Sequence, residues 1–148
     1  MTTAPPTRRY LAYGSNLCTD QMARRCPAAL PGAVVRLEGW RFVINRDGFA
    51  TLLPAPGGLA WGLLWQLTPA CEATLDTYEG VESGEYRKVE WLVGGVPTLV
   101  YLAAEERFGP PRPGYLERIL AAAAGWGLPA DYLAELGGWA GAPEATPA

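Results

Sequence analysis

The chain has 148 residues, 49% of them apolar, which is enough for one domain with a hydrophobic core and too few for two typical domains. A formal charge of -3 and the lack of any run of basic residues exclude a basic surface that would bind the phosphate backbone of a nucleic acid. The chain contains no histidine, which excludes Ser-His-Asp and Cys-His catalysis and the histidine-rich zinc sites.

The first predicted element is a short apolar strand, residues 10–13, that runs into a loop of small polar residues. Gly14, Ser15 and Asn16 tolerate turn and left-handed conformations. Successive amides in such a loop point into one concavity, which is the form of an anion- or oxyanion-binding site. An ordinary turn is the alternative interpretation of the same residues.

A short helix and a series of strands follow the loop. The helix is predicted over residues 19–25, because Cys26 and Pro27 stop it. The strand candidates are residues 33–37, 41–45, 49–53 and 59–67. Turn residues separate them at short intervals, which indicates a mostly β protein with a few helices and a sheet that curls.

The next predicted helix ends at an acidic residue. Thr68 caps this helix, and Cys71, Leu75 and Tyr78 recur at helical spacing, so that Glu79 falls in the last turn near the core-facing side. A carboxylate at a helix C-terminus is electrostatically unfavourable. Glu79 is therefore either held there for its chemistry or is a frayed, solvated glutamate.

The second half of the chain predicts a β-hairpin. Residues 86–93 alternate between two faces, and a Gly-Gly turn leads into residues 96–103. Tyr101 alternates with apolar neighbours, which favours a core tyrosine. Tyr86 begins the first strand of the hairpin, close to Glu79 along the chain.

The last part of the chain predicts a loop and two helices. A proline-rich loop at residues 105–113 leads to a helix that starts near Tyr115 and ends at Gly125. Pro129 opens the final helix. Residues from 141 onward are small, polar or proline and are expected to be poorly ordered.

Four segments carry a resemblance that spans most of the chain. They are Tyr-Gly-Ser-Asn-Leu at 13–17, Trp-Gly-Leu-Leu-Trp at 61–65, the stretch 75–86 and Gly-Leu-Pro-Ala-Asp-Tyr at 127–132. In this order and spacing they resemble the γ-glutamylcyclotransferase family, including the γ-glutamylamine cyclotransferase and AIG2-like proteins. The resemblance implies an α+β fold, a small mixed β-barrel flanked by helices.

The same resemblance implies roles for particular residues. The loop that would hold the glutamyl group consists of Tyr13, Gly14, Ser15, Asn16 and Leu17. Glu79 would be the general acid/base. The tyrosines at pocket positions of the family would be Tyr86, Tyr101 and Tyr115.

The reaction expected for such a site is intramolecular aminolysis. The α-amine of a γ-glutamyl compound attacks its own γ-carbonyl, which releases 5-oxoproline and an amine or amino acid. The alternatives are a γ-glutamylamine cyclotransferase acting on γ-glutamyl-lysine or a biosynthetic amine, and a non-catalytic protein that binds a glutamyl metabolite. Residues 46–49 and 105–113 are expected to form the leaving-group wall, but they carry no pattern that decides between these substrates.

Several further expectations concern the protein as a whole. We expect a single domain over residues 1–148 with flexible tails at about 1–7 and 141–148, acting as a monomer or homodimer. We expect a cytoplasmic protein, because no apolar run approaches the roughly 20 residues of a membrane span and no signal-peptide core is present. The three cysteines are odd in number and are expected to be reduced. We expect no cofactor, no metal, no nucleic acid and no membrane partner.

Overall fold

The computed structural model describes residues 6–142, and a five-stranded mixed sheet lies at its centre. The strands are β1 (Arg8–Ala12), β2 (Leu30–Ile44), β3 (Ala50–Leu67), β4 (Tyr86–Val93) and β5 (Val96–Ala103). Their order across the sheet is β2-β3-β1-β5-β4. β1 and β5 run parallel, and the other neighbouring strands are antiparallel. β1 is thus the central strand, and the loop that follows it leaves from the middle of the sheet.

Four helices flank this sheet. They are α1 (Thr19–Arg25), α2 (Pro69–Tyr78), α3 (Tyr115–Gly125) and α4 (Ala130–Gly137), with short 3-10 turns at Ser15–Leu17 and Gly138–Gly141. The predicted bounds of α1 and the predicted start of α4 after Pro129 are confirmed. None of the helices in residues 6–142 is long and apolar enough to cross a membrane.

The strands β2 and β3 are longer than the sequence predicted. The segments predicted at 33–37 and 41–45 join into β2, and those at 49–53 and 59–67 join into β3. Between them the register shifts, because Glu38 pairs with Leu59 whereas Trp40 pairs with Pro54. The residues between Pro54 and Leu59 bulge out of the ladder, and a bulge of this kind bends a strand without ending it.

The bend brings the two edges of the sheet towards each other. The rings of Trp40 on β2 and Trp91 on β4 lie 4.3 Å apart between centroids, and the Ala103 amide on β5 donates to the Thr51 hydroxyl on β3 at 2.9 Å. No ladder joins β2 to β4 within residues 6–142. The predicted class, α+β with a mixed sheet and flanking helices, is confirmed, but no backbone ladder within residues 6–142 closes the sheet into a barrel.

Local signals set the hairpin and α2 correctly. Gly94 and Gly95 have φ of 59° and 79°, the positive values that a two-residue hairpin turn needs at both central positions. The Thr68 hydroxyl accepts a hydrogen bond from the Cys71 amide at 3.2 Å, which is the predicted N-terminal cap of α2. Gly80, with φ of 63°, ends the segment after Glu79.

The core lies between the sheet and the helices. Its fully buried side chains include Leu11, Phe42, Leu63, Leu75 and Ile119. Of the tails predicted to be flexible, residues 1–5 and 143–148 lie outside the described residues. Gly141 belongs to the last 3-10 turn, and the amide of Ala142 donates to the Trp139 carbonyl at 3.1 Å.

Candidate active site

A cavity of about 570 Å³ opens where four parts of the chain meet. They are the loop after β1, the end of α2, the start of β3 and the start of α3. Gly14, Ser15, Asn16 and Glu79 all line this cavity. The structure therefore brings the predicted loop and the predicted carboxylate together, although they are far apart in sequence.

The loop turns as a single 3-10 turn. The Leu17 amide donates to the Gly14 carbonyl and the Cys18 amide donates to the Ser15 carbonyl, both at 3.0 Å. The amides of Ser15 and Asn16 come before these two donors along the chain. They donate no hydrogen bond within the turn. Leu17 does not line the cavity, because its amide is occupied and its side chain is only 1% exposed.

Buried amide side chains hold this loop in place. The Gln21 Nε2 on α1 donates to Ser15 Oγ at 2.8 Å and to Asn16 Oδ1 at 2.9 Å. Asn16 Nδ2 donates to the Tyr10 hydroxyl at 2.9 Å, and the Trp65 indole donates to the Asn16 carbonyl at 3.2 Å. Asn16 and Gln21 are each only 3% exposed. The shape of the loop is thus fixed before any ligand binds.

Glu79 lies at the C-terminus of α2 and is partly buried. Its amide donates to the Leu75 carbonyl at 2.8 Å, which holds the residue against the last helical turn. Its carboxylate takes part in none of the side-chain hydrogen bonds or ion pairs within residues 6–142. Burial raises the pKa of Glu79 to about 7, Arg25 lowers it, and Glu85 raises it. The carboxylate is therefore free for a ligand and able to exchange a proton near neutral pH.

Arg25 at the end of α1 lies beside the loop and Glu79. Its NH1 donates to Asn16 Oδ1 at 3.1 Å, and its guanidinium carbon lies 4.2 Å from the centre of the Tyr78 ring. Tyr78 shares the helical spacing of Cys71 and Leu75, but it is 57% exposed and lies at the edge of the cavity. Its ring packs on Arg25, whereas Cys71 and Leu75 are buried.

Tyr86 and Tyr115 line the cavity and fix the start of β3. The Tyr86 hydroxyl donates to the Ala50 carbonyl at 2.6 Å, and the Tyr115 hydroxyl accepts from the Ala50 amide at 3.0 Å. Burial raises the pKa of Tyr86 well above its usual value and that of Tyr115 to about 12. Both hydroxyls are protonated at neutral pH and act as hydrogen-bonding groups.

Tyr13 lines the cavity and Tyr101 does not. The Tyr13 hydroxyl donates to the Tyr101 carbonyl, and the Tyr101 hydroxyl donates to Asp76 Oδ1 at 2.7 Å. The Tyr101 side chain therefore contacts α2 away from the cavity. This placement agrees with the core tyrosine inferred from the alternation of the strand and not with the pocket position implied by the resemblance.

The cavity also contains residues to which the sequence analysis gave no individual role. Asp47 and Phe49 come from the loop before β3, and Arg112 comes from the proline-rich loop, the two segments expected to form a leaving-group wall. Arg25 and Arg118 lie on helices, where charged residues are normally exposed and give no signal. Only their spatial position beside the loop distinguishes them.

Within residues 6–142, no three Cys, Asp or Glu side chains are grouped as a metal ion would require.

Comparison with protein families gives a match that begins before the middle of the chain and extends into α4. The AIG2-like family model matches residues 60–136. That range contains Glu79, Tyr86 and Tyr115, but not the loop after β1.

Comparison with characterised proteins gives relatives over most of the chain. The mouse and human γ-glutamylcyclotransferases are each 32% identical over 142 residues, covering 86% of this chain and 76% of the relative. A solved structure of a γ-glutamyl cyclotransferase superposes with a TM-score of 0.81 at 31% identity. The superposition covers 89% of this chain and 87% of that structure.

Proposed function

The chain belongs to the γ-glutamylcyclotransferase (AIG2-like) family, and we propose that it is an enzyme that converts a γ-glutamyl compound into 5-oxoproline and an amine or amino acid. The observation that carries the proposal is the shared cavity of Ser15, Asn16 and Glu79. Ring closure by attack on an amide carbonyl requires two kinds of group. One is a set of hydrogen-bond donors that stabilise the oxyanion, and the other is an acid/base, here a carboxylate with a raised pKa.

The proposed reaction needs no nucleophile from the protein. The lone pair of the substrate α-amine attacks the γ-carbonyl carbon, and the carbonyl electrons move to its oxygen to give a tetrahedral intermediate. When the carbonyl re-forms, the bond to the leaving nitrogen breaks. One proton leaves the attacking nitrogen and one joins the leaving nitrogen, so that the atoms balance without water.

Glu79 is proposed to carry that proton. As a carboxylate it accepts the proton from the attacking nitrogen, and as a carboxylic acid it returns the proton to the leaving nitrogen. A pKa near 7 makes both forms accessible at neutral pH, where general acid/base catalysis is most effective and contributes roughly 10²- to 10⁴-fold. The free carboxylate and its burial support this role.

The loop is proposed to stabilise the oxyanion. The Ser15 and Asn16 amides are fixed by the Gln21 and Asn16 side-chain bonds, and donors held in advance need not reorganise during the reaction. Loss of one such donor typically lowers turnover by about 10²- to 10³-fold. Tyr86 and Tyr115 are proposed to shape the cavity around the folded glutamyl chain, which adds the benefit of proximity.

We expect the pH dependence of kcat/KM to report the ionisation of Glu79. Activity should fall as the pH drops through about 7, because the protonated carboxyl cannot accept the proton of the attacking amine. Initial rates over about pH 5 to 9 measure this. The matched variant is Arg25→Gln, which removes the cation that lowers this pKa and should move the acidic limb to higher pH. An acidic limb near 4.5, the ordinary value, would contradict the assignment.

We expect the activity to be independent of metals, cofactors and free thiols. The expectation rests on a chain without histidine and on a mechanism that uses only Glu79 and backbone amides. Activity should be unchanged after treatment with EDTA and after alkylation of the folded protein. Reversible loss of activity on chelation, restored by one particular metal, would contradict it.

Incubation with a panel of γ-glutamyl amino acids, γ-glutamyl-lysine and γ-glutamyl amines tests the proposed function. The expected result is equimolar release of 5-oxoproline and the leaving amine from at least one compound. Binding without release from any of them would replace the proposal with a non-catalytic binding function.

A cytoplasmic location and a monomeric or homodimeric state belong to the same proposal. The odd number of cysteines supports the cytoplasmic location.

A further inference from the structure

Arg118 on α3 is linked to the loop after β1 through the Gln21 side chain on α1. Its NH1 donates to Gln21 Oε1 at 2.9 Å. The Nε2 of the same amide donates to Ser15 Oγ at 2.8 Å and to Asn16 Oδ1 at 2.9 Å. One amide side chain therefore joins α3 to both residues whose backbone amides are proposed to bind the oxyanion.

Arg118 determines which way round the Gln21 amide lies. A guanidinium has only donors, so the oxygen of a neighbouring amide must face it and the NH2 group must face away. A reversed amide would place its NH2 group against the guanidinium and its oxygen against Asn16 Oδ1. Arg25 favours the same arrangement, because its NH1 also donates to Asn16 Oδ1, at 3.1 Å. The two arginines thus give the network a single direction of donation.

The direction of donation also sets where the hydrogen of the Ser15 hydroxyl lies. A hydroxyl has one hydrogen and two lone pairs. Because Gln21 Nε2 donates to one lone pair, the hydrogen of Ser15 points away from Gln21. Ser15 lines the cavity beside the Tyr115 hydroxyl, so this hydrogen is available on the cavity side. A reversed Gln21 amide would draw the hydrogen towards its own oxygen.

The position of α3 does not depend on Arg118. Three side chains of this helix are buried in the core, Leu116, Ile119 and Ala123. At the end of the helix the Trp126 indole donates to the Leu17 carbonyl at 2.9 Å, which is a second link between α3 and the turn. Arg118 itself is exposed. Replacing it should therefore leave the fold intact and release only the Gln21 amide.

We propose that Arg118 is a positioning residue for the reaction: it fixes the orientation of the Gln21 amide, and Gln21 in turn holds the donors of the loop towards the oxyanion. This inference rests on the proposed function. Neither side chain needs to touch the substrate. Since the oxyanion forms only in the transition state, loss of Arg118 should lower kcat and leave the binding of the substrate nearly unchanged.

A double-mutant cycle on 5-oxoproline release, with the best substrate of the γ-glutamyl panel, tests this route. Arg118→Met keeps the aliphatic stem but removes the donor, and should lower kcat/KM about three- to tenfold through kcat. Arg118→Lys keeps a donor and should be clearly more active. Gln21→Met should lower kcat/KM by about tenfold or more. In the Gln21→Met background, Arg118→Met should cost less than about twofold, because Arg118 acts through Gln21.

The matched control is Arg24→Met, which removes an exposed arginine of α1 outside the cavity and should keep the wild-type kcat/KM. Thermal unfolding checks that each variant is folded.

The positioning role alone would be overturned by unchanged kcat/KM in Arg118→Met, by a loss in that variant confined to KM, or by no recovery in Arg118→Lys. The same loss from Arg118→Met with and without Gln21 would also overturn it, since Arg118 would then act on the substrate directly. The Arg118 variants decide the question even where Gln21→Met, a change at a buried residue, does not fold. Release of 5-oxoproline by the wild type from no compound of the panel would overturn the proposed function and this inference with it.

Discussion

Replacing Glu79 with Gln is expected to lower the rate of 5-oxoproline release by at least about 10²-fold, since the amide can neither accept nor return a proton. The side chain keeps its size, so substrate binding should change little and the loss should fall on kcat. Steady-state kinetics on a γ-glutamyl substrate measure both constants. Glu82→Gln is the matched control, because Glu82 is an exposed glutamate of the same turn that does not line the cavity.

The same variant should not be less stable than the wild type. The folded-state pKa of Glu79 is raised to about 7 from 4.5, so the native state binds the proton more tightly than the unfolded state. Between these two pH values the stability of the wild type falls as the pH rises. Above about pH 7, where Glu79 is charged in the folded state, this loss of stability is complete. Glu79→Gln removes this effect and should unfold at an equal or higher temperature at about pH 8. Turnover close to that of the wild type would contradict the assignment and move attention to Glu85.

Replacing Asn16 with Leu is expected to lower the free energy of unfolding by about 2 to 4 kcal/mol and kcat/KM by at least about tenfold. The Asn16 side chain accepts from Gln21 and Arg25 and donates to the buried Tyr10 hydroxyl. An apolar side chain leaves these groups without a partner, at a cost of about 1 to 3 kcal/mol for each one that stays buried. Urea unfolding and steady-state kinetics measure the two effects.

Asn16→Asp is the control for that substitution. An aspartate can accept from Gln21 and Arg25, and the Tyr10 hydroxyl can rotate to donate to it. Its loss of stability should therefore be clearly smaller than that of the leucine variant. If Asn16→Leu were as stable as the wild type and equally active, the loop would not depend on this network.

Elements set by local residues could be predicted from the sequence. The Gly-Gly turn defines the hairpin of β4 and β5, Thr68 caps α2, and Pro27 follows the end of α1. In each case the deciding interaction lies within a few residues of the signal. This is why these elements have the predicted bounds, or nearly so.

The long bent strands could not be predicted in the same way. The residues around Trp40 and Pro54 look like turns, but β2 and β3 continue through them as a bulge. The strands stay paired because both flanks of the bulge are hydrogen-bonded across the sheet and Trp40 packs on Trp91. Such contacts are set by tertiary packing and leave no local signal.

The same distinction applies to the candidate site, where residues with a local sequence signal could be predicted and residues placed by tertiary contacts could not. The loop and Glu79 were identified from turn residues, from an acidic residue at an unfavourable helix position and from the resemblance. Gln21 and Arg118 were not, because a glutamine and an arginine on helices are common and only their hydrogen bond to each other, 97 positions apart, gives them a role. Tyr101 is the opposite case, because the resemblance implied a pocket position for it but its side chain does not line the cavity.

The central claim is that the substrate's own amine, and not water, displaces the leaving group at a site built around Glu79. Turnover of a γ-glutamyl substrate in water enriched in ¹⁸O tests this most directly, with heat-denatured protein as the control for spontaneous cyclisation. The account predicts 5-oxoproline without ¹⁸O, formed in equal amount to the released amine and strongly reduced in Glu79→Gln. Glutamate carrying one ¹⁸O in its γ-carboxylate would show hydrolysis and contradict it.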